Sequence, residues 1–436
     1  MKPEEVFKRY DIRGKYPEEL NEEFAKRIGK ALGSFASENF SERVVVSKDN
    51  KESSASLKEA LIEGLRSTGV KVIDVGTGPT DYAAFAGMEH GAVSVQVTSS
   101  HMPLDFNGFK LMYPEGNGFV NEDLNEVKRI FREEAFTEGS GDITDLESTM
   151  KQRYRDRIRI RGARLGSQKV EEKIVVDTLG GAAQDFLPDL LRDLGAEVID
   201  LAEEKDEMPY RDPPNPKPEN LDELRDRVEE TDADLGIATD MDADRVTVYK
   251  DGFLSGDEVF GLMAQAVRDD LVASIDTSKA IEELQEENSK EIFYTRVGDP
   301  FVMDKALKED VGLAGEPNGH YSVLEFVPYN SGILTALAVA GTDIEEGLED
   351  FPDYSVERFS TSVEDKEERM KEIKEAVESK YSIVSEVDGV KFETENCDVL
   401  VRPSGSSPKI RVIAESESEE ALTREMPKIV ELVQKP

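Results

Sequence analysis

Two distant segments of this chain read alike, and their likeness limits the fold more than any other feature. GLRSTGVKVIDVG at 64–76 parallels LLRDLGAEVIDL at 190–201. Each follows a short apolar strand and a helical stretch: Val44-Val45-Val46 before a helix over 56–67, and Ile174-Val175-Val176-Asp177 before one over 185–194. A third, weaker copy runs from Val272-Ala273-Ser274-Ile275 through 278–289 into Ile292-Phe293-Tyr294. The unit reads strand, helix, strand, with glycine closing the helix. Short apolar strands alternating with helices give an α/β fold of mixed, largely parallel sheets covered on both faces.

The tail breaks the pattern. An amphipathic helix over 365–379 leads to strands at 390–393, 398–402 and 409–414 and a last helix over 419–434, a smaller α+β unit. Joints are expected in the polar stretch 138–145, at the turn Asp251-Gly252 and over 342–353. The chain then divides into 1–140, 146–250, 251–343 and 352–436, three related α/β domains and one α+β domain. The proline run 209–218 falls inside the second unit as a rigid surface loop. The 436 residues suffice for three or four domains of about 100 residues each.

Charge limits what the chain can meet. It carries 54 Lys and Arg against 94 Asp and Glu, a net −40. The acids are spread along the chain, which suits a halophilic, salt-rich cytoplasm where the Debye length falls to about 3 Å. Such a surface excludes nucleic acid and anionic membranes as partners, since both require basic patches. Met1 to Tyr10 is charged and lacks a signal-peptide core. The longest apolar stretch, Gly332 to Gly341, is about half the ~20 residues that cross a bilayer. Cys397 stands alone and makes no internal disulfide. A soluble cytoplasmic protein, monomer or homodimer, is expected.

Four loops hold residues able to do chemistry. Asp240-Met241-Asp242-Ala243-Asp244-Arg245 follows the strand-like Leu235-Gly236-Ile237-Ala238. Alternate carboxylates there can converge on a hard cation such as magnesium; read alone, they are equally a solvated acidic surface. A calcium hand fails, because Arg245 stands where it needs glycine and Asp251 where it needs glutamate. Thr98-Ser99-Ser100-His101 sits at the carboxyl end of strand 92–97, with Asn107-Gly108-Phe109-Lys110 beyond. This is where parallel sheets place ligands, although a serine-rich turn has the same composition. Gly315-Glu316-Pro317-Asn318-Gly319-His320 offers donors and acceptors suited to sugar hydroxyls, or is simply a turn. Arg402-Pro403-Ser404-Gly405-Ser406-Ser407-Pro408, with Lys409 and Arg411, is a candidate phosphate nest or a plain hairpin loop. Arg13, Lys110, Arg245, Arg402 and Arg411 gather in such loops, where an anionic substrate can be held.

Taken with Tyr10-Asp11-Ile12-Arg13-Gly14 and PNPKPENL at 214–221, these motifs stand in an order that resembles the α-D-phosphohexomutase superfamily nearly end to end. The resemblance implies four domains around a central cleft. It implies Ser100 as a phosphoserine, with Asp240, Asp242, Asp244 and the Ser100 oxygen as ligands of Mg²⁺. Arg245 would position the transferring phosphoryl group, and Arg13, Lys110, His101 and His320 would lie near the moving proton and phosphate. Glu316 would hold the sugar hydroxyls, with Asn318 where a serine is usual. Arg402, Ser404, Gly405 and Ser406 would grip the phosphate that is not reacting, beside Arg411. The implied reaction interconverts hexose 1- and 6-phosphates of mannose or glucose through a hexose 1,6-bisphosphate. Phosphoglucosamine mutase is the alternative, and a non-catalytic sugar-phosphate binder the alternative of another class. Departures from the pattern are Met102 for Asn, Met241 for Gly, Ser406-Ser407 for Thr-Glu, Asp299 where some members have His, and Asn330-Ser331-Gly332 for a frequent D-G pair.

Overall fold

The structure, a computed structural model, describes residues 3–405 and 407–434. The apolar runs of the repeats become the central strands of three separate sheets. Arg43–Lys48, Lys173–Asp177 and Leu271–Ser274 each pair in parallel with two neighbours. A hairpin then adds a fourth strand antiparallel to the third. Across the first sheet the copy runs Lys71–Thr77, Arg43–Lys48, Val93–Val97, Phe106–Met112. The second runs Glu197–Asp200, Lys173–Asp177, Leu235–Thr239, Val246–Tyr249, and the third Ile292–Thr295, Leu271–Ser274, Leu313–Glu316, His320–Val323. One strand order serves all three. Val93–Val97, Leu235–Thr239 and Leu313–Glu316 are buried along their whole length, as apolar strands covered on both faces must be.

Two edge strands extend the first sheet. Ile12–Lys15 lies antiparallel to Phe106–Met112, so close that a Cβ on Gly108 would come within 2.2 Å of the Ile12 carbonyl oxygen. That contact accounts for the glycine in Asn107-Gly108-Phe109-Lys110. Ile143–Asp145 lies parallel to Lys71–Thr77. Stretch 138–145, expected as a joint, is thus laid on the sheet: the Gly139 and Gly141 amides donate to the Ser67 and Arg66 carbonyls at 2.9 and 2.8 Å. Its polarity suits a solvent-facing edge.

The C-terminal unit is an antiparallel sheet of five strands, two more than the sequence pattern displays. The additions, Ser355–Ser362 and Ser382–Ser385, are the outermost strands and half-exposed, so their polar composition masked them. The apolar stretch near 332–341 forms a helix, Gly332–Ala340, with every residue buried. It packs against Glu147–Leu165 and lies in a core that runs continuously through the first three units. Among the described residues, no helix is long and apolar enough to cross a membrane.

The fourth unit has a core of its own and meets the third through polar groups. Glu415 accepts from the Ser278 hydroxyl at 2.7 Å and the Lys279 amide at 3.0 Å, while Asp257 accepts from the Ser278 amide at 2.9 Å. Burial pushes the Asp257 carboxyl up to about 7; the Ser278 amide opposes the shift and Glu415 adds to it. A carboxyl whose folded pKa is raised contributes stability fully below its unfolded pKa of about 4, and loses it as pH climbs through the folded value. Asp257→Asn keeps the acceptor and removes the titration. Denaturant midpoints from pH 5 to 8 are therefore expected to fall for the parent relative to the variant; parallel profiles would contradict the burial of this charge.

Candidate active site

The three hairpins that close the repeats carry three of the chemical loops: 98–105, 240–245 and 317–319. Each leaves the carboxyl end of the third strand, where helix N-termini and strand ends converge. Each turns back through one residue in the left-handed region, Ser100 at φ 52°, Ala243 at φ 54° and Gly319 at φ 96°. Glycine adopts this freely, whereas Ser100 and Ala243 hold it at a cost of about 1–2 kcal/mol each. The loops are kept in place by contacts between units. The Gly332 amide donates to the Ala243 carbonyl at 2.9 Å, and the Val246 amide to the Gly319 carbonyl at 3.2 Å.

Ser100 and the three aspartates meet across the first and second units. The Ser100 hydroxyl donates to Asp240 Oδ2 at 2.8 Å, and His101 Nδ1 lies 3.1 Å from the same hydroxyl. Asp240, Asp242 and Asp244 are all buried and present carboxylate oxygens within 4.8 Å of one another. Lys110, on the strand after the serine loop, donates to Asp242 Oδ2 at 2.6 Å and also to Asp244. From the third unit, His320 Nε2 lies 3.3 Å from Asp244 Oδ1 and 3.1 Å from Arg245 Nε. Glu316 is buried, accepts from the Gly298 amide at 2.8 Å and faces His320 Nδ1 at 3.5 Å.

The charges in this cluster pull against one another. Burial, together with Asp244 and Asp242, pushes Asp240 well above the carboxylate range. Burial works the same way on Asp244, but Lys110 and His320 hold it well below that range. Burial lowers Lys110, yet Asp242 and Asp244 keep it well above its usual value. His320, also disfavoured by burial, is lifted to about 9 by Asp244 and Glu316. His101 has no such partner; burial, Arg245 and Arg13 bring it down to about 2, so it is neutral. Arg13, buried beside Asp11, is held above its usual value by Asp11, Asp242 and Asp244.

The donor set fits a divalent cation. Asp242 Oδ1 is buried with no hydrogen-bond partner, and three carboxyl groups converge where a hard cation takes oxygen ligands. The Ser100 hydroxyl is the fourth oxygen at this point. Met241 leaves the arrangement undisturbed: its side chain is buried, its carbonyl accepts from the Ala182 amide at 2.7 Å, and its φ is not positive, so glycine is not needed there.

Arg245 borders a cleft of about 1170 Å³ that separates the aspartates from the fourth unit. Its wall carries Lys217, Arg358, Arg402, Lys409 and Arg411, interspersed with Glu219, Asp257, Glu258, Asp276 and Asp353. Asn318 lies on the same wall and is exposed. Arg402 and Arg411 face each other across neighbouring strands. Arg402 donates through Nε and Nη2 to Asp388 Oδ2 at 2.8 and 2.6 Å. Ser404 is buried and accepts from the Ser407 hydroxyl at 2.9 Å, while Gly405 is exposed near Arg9. Ser406 lies outside the described residues. The proline run 209–218, expected as a surface loop only, reaches this wall through Asn215 to Pro218 and touches the serine loop, where Asp212 accepts from the Leu104 amide at 3.0 Å.

Several groups in the cluster escaped the sequence reading. Thr80 binds Asp242 twice, by its hydroxyl to Oδ2 at 2.6 Å and its amide to the carbonyl at 3.0 Å. It opens a helix just after strand Lys71–Thr77, so the rule that ligands gather at strand ends would have found it. Asp388 and Lys51 hold functional groups from positions with no motif of their own, and Asp11, inside the Tyr10–Gly14 motif, accepts from Arg13. Asp299 opens a helix beside Glu316; burial, with Glu316 adding, pushes it up to about 6 against the pull of His320.

The sequence matches four domains of one family in order. These are phosphoglucomutase/phosphomannomutase alpha/beta/alpha domain I over 4–138, domain II over 153–252, domain III over 255–351, and the C-terminal domain over 361–432. A phosphoglucomutase/phosphomannomutase of Thermococcus kodakarensis is 35% identical, with 95% of each chain aligned. A probable phosphoglucosamine mutase of Methanopyrus kandleri is 34% identical over 97% of this chain and 96% of its own. The crystal structure of a phosphoglucomutase/phosphomannomutase family protein from Burkholderia thailandensis superposes with a TM-score of 0.88 at 25% identity, covering 99% of this chain and 98% of that one.

The two histidines of the cluster give a direct check. In metal-free protein, imidazole NMR is expected to show His320 doubly protonated at pH 7 and titrating near 9, with His101 neutral throughout. Because the folded pKa of His320 is raised, its stabilising contribution is full below its unfolded pKa of about 6.5 and is lost as pH rises through 9. Titration of His320 near 6.5 would show that Asp244 and Glu316 do not surround it as described.

Proposed function

The chain belongs to the phosphoglucomutase/phosphomannomutase family of α-D-phosphohexomutases, which are intramolecular phosphotransferases, and on that footing we propose that it interconverts hexose 1-phosphate and hexose 6-phosphate of mannose or glucose. The reaction passes through phosphorylated Ser100 and a hexose 1,6-bisphosphate. The observation that carries this reading is the 2.8 Å contact of the Ser100 hydroxyl with one of three buried aspartates whose oxygens lie within 4.8 Å of one another.

Asp240, Asp242, Asp244 and the Ser100 oxygen would hold Mg²⁺, which when bound neutralises charge on the transferring phosphoryl group. Arg245, between these ligands and the cleft, orients that group from the sugar side. Lys110 Nζ and His320 Nε2 carry protons at neutral pH and stabilise negative charge developing on the transferred oxygens. In the first half-reaction the bond from phosphorus to Ser100 Oγ breaks as one forms to a sugar hydroxyl, and the proton of that hydroxyl ends on Ser100 Oγ. In the second, the other phosphoryl group of the bisphosphate returns to Ser100. The serine proton ends on the sugar oxygen that is released, and neutral His101, 3.1 Å from the serine oxygen, orients that oxygen. Glu316 and Asn318 hold sugar hydroxyls, and Arg402, Ser404, Gly405, Ser406 and Arg411 grip the phosphate that is not reacting. Two phosphate ends and a sugar read from its middle allow the intermediate to turn end for end within one cleft.

Glucosamine phosphates are the second reading, favoured by the name of the Methanopyrus relative. Coupled assays on mannose, glucose and glucosamine 1-phosphates decide between them, and turnover of glucosamine 1-phosphate alone would reverse our preference. Incubation with glucose 1,6-bisphosphate is expected to add one phosphate to the intact mass, and Ser100→Ala to abolish the gain; an unchanged parent mass would remove the phosphoserine. Asp242→Asn, which withdraws a charged ligand, is expected to lower kcat by about 100-fold or more and to raise the Mg²⁺ needed for half-maximal rate. Near-normal turnover at ordinary Mg²⁺ would refute the metal assignment.

A further inference from the structure

Lys51 lies beneath the serine loop and does something no motif in the sequence announces. It occupies the N-cap position of helix Glu52–Arg66, but its side chain does not cap that helix. The residue is 3% exposed, and its ammonium points into the loop. It donates to the Ser99 hydroxyl and to three backbone carbonyls, Met102 at 3.3 Å, Pro103 at 3.2 Å and Phe106 at 3.0 Å. Within the loop, the Met102 amide donates to the Ser99 carbonyl at 3.3 Å and the Phe106 amide to the Pro103 carbonyl at 2.9 Å. Ser99 Oγ also donates to the Phe106 carbonyl at 2.9 Å, and the Ser100 amide donates to Thr98 Oγ1 at 2.9 Å.

The partners of this ammonium are unusual. Among the described residues, no carboxylate lies within ion-pair distance of Lys51 Nζ. Asp49, two residues away, spends one oxygen on the Lys51 amide at 3.0 Å and on the Ser54 hydroxyl, and leaves the other without a partner. A buried cation bound only by neutral oxygens is disfavoured in a merely structural place, where an apolar side chain would pack without the desolvation cost. It is favoured where negative charge arrives during function. A phosphoserine brings a charge of about −1.5 to −2.

We infer that Lys51 is a positioning residue for phosphoryl transfer: its ammonium fixes the 98–106 segment so that Ser100 faces the aspartates, and it supplies positive charge beneath the loop when Ser100 is phosphorylated. The inference rests on the reading of Ser100 as the phosphorylated residue. Ser100 is held in the left-handed region at φ 52°, a conformation a free loop would leave, and the Lys51 contacts lie on both sides of it.

The test uses the full chain with glucose 1,6-bisphosphate, comparing the parent with Lys51→Met and Lys51→Arg. Lys51→Met is expected to lower kcat by about 100-fold, with KM changed no more than about three-fold, because the loop is misplaced while the cleft is intact. The phosphorylated fraction by intact mass should fall with it. Lys51→Arg, which keeps the charge and several donors, should recover most of both. Full phosphorylation and turnover in Lys51→Met, or Lys51→Arg no better than Lys51→Met at equal thermal stability, would overturn the inference. If Lys51→Met does not fold, Ser99→Ala removes one of the four acceptors together with the bond from Ser99 Oγ to the Phe106 carbonyl, and is expected to reduce the phosphorylated fraction by about three-fold; no change would count against Lys51. A parent that gains no phosphate, or a Ser100→Ala variant that still gains it, removes the reading of Ser100 instead, and this inference falls with it.

Discussion

Three carboxylates within 4.8 Å of one another, and almost without exposure, are the demand around which the molecule is arranged. At an effective dielectric of 20, each pair of charges at that spacing repels by about 3–4 kcal/mol, and burial adds to the cost. No single unit of the chain answers it. Lys110 comes from the first unit, His320 from the third, and Arg13 from the N-terminal edge strand. The site therefore exists only when the first three units are packed together, and the continuous apolar core beneath them is what holds them so. A divalent cation binding there would meet ligands already gathered, with Lys110 bridging two of them.

Repetition explains how this gathering is achieved. Each of three sheets has the same strand order, and each ends its third strand in a hairpin whose turn needs one left-handed residue. The three copies carry different side chains at and beside that turn: Ser100 and His101 in the first, three aspartates in the second, Glu316, Asn318 and His320 in the third. Placing different side chains at one structural position on three similar units, facing a common point, gives a site that no one unit carries. The fourth unit differs in topology and in attachment. It has its own core and meets the third unit through Glu415 and buried polar groups, while its cationic loop forms the far wall of the cleft. A polar junction of this kind is easier to part than an apolar one, which suits a cleft that opens and closes around the proposed sugar phosphate.

Much of this was legible in the chain. The repeat, the apolar strands, the odd tail and all four loops follow from periodicity, glycine placement and short motifs, because these are local properties. Of the strands the sequence did not display, Ser355–Ser362, Ser382–Ser385 and Ile143–Asp145 are edges, where half-exposed backbone tolerates polar residues. The interior Phe106–Met112 and Leu313–Glu316 are short runs interrupted by glycine and polar residues that read as loops. The site was legible only where function had written a motif. Thr80, Lys51 and Asp388 act through contacts made only when separate elements meet, and nothing near them in sequence marks the role.

The sequence by itself determined the α/β class, the threefold repeat, the acidic surface and which loops hold reactive side chains, since strand pattern, charge and residue identity are carried locally. Tertiary structure alone decided that Lys110 would bridge Asp242 and Asp244, that His101 would be neutral and His320 charged, and that a buried ammonium would brace the serine loop. Charge state and contact depend on distance and burial, and both are fixed only when segments remote along the chain are brought against one another.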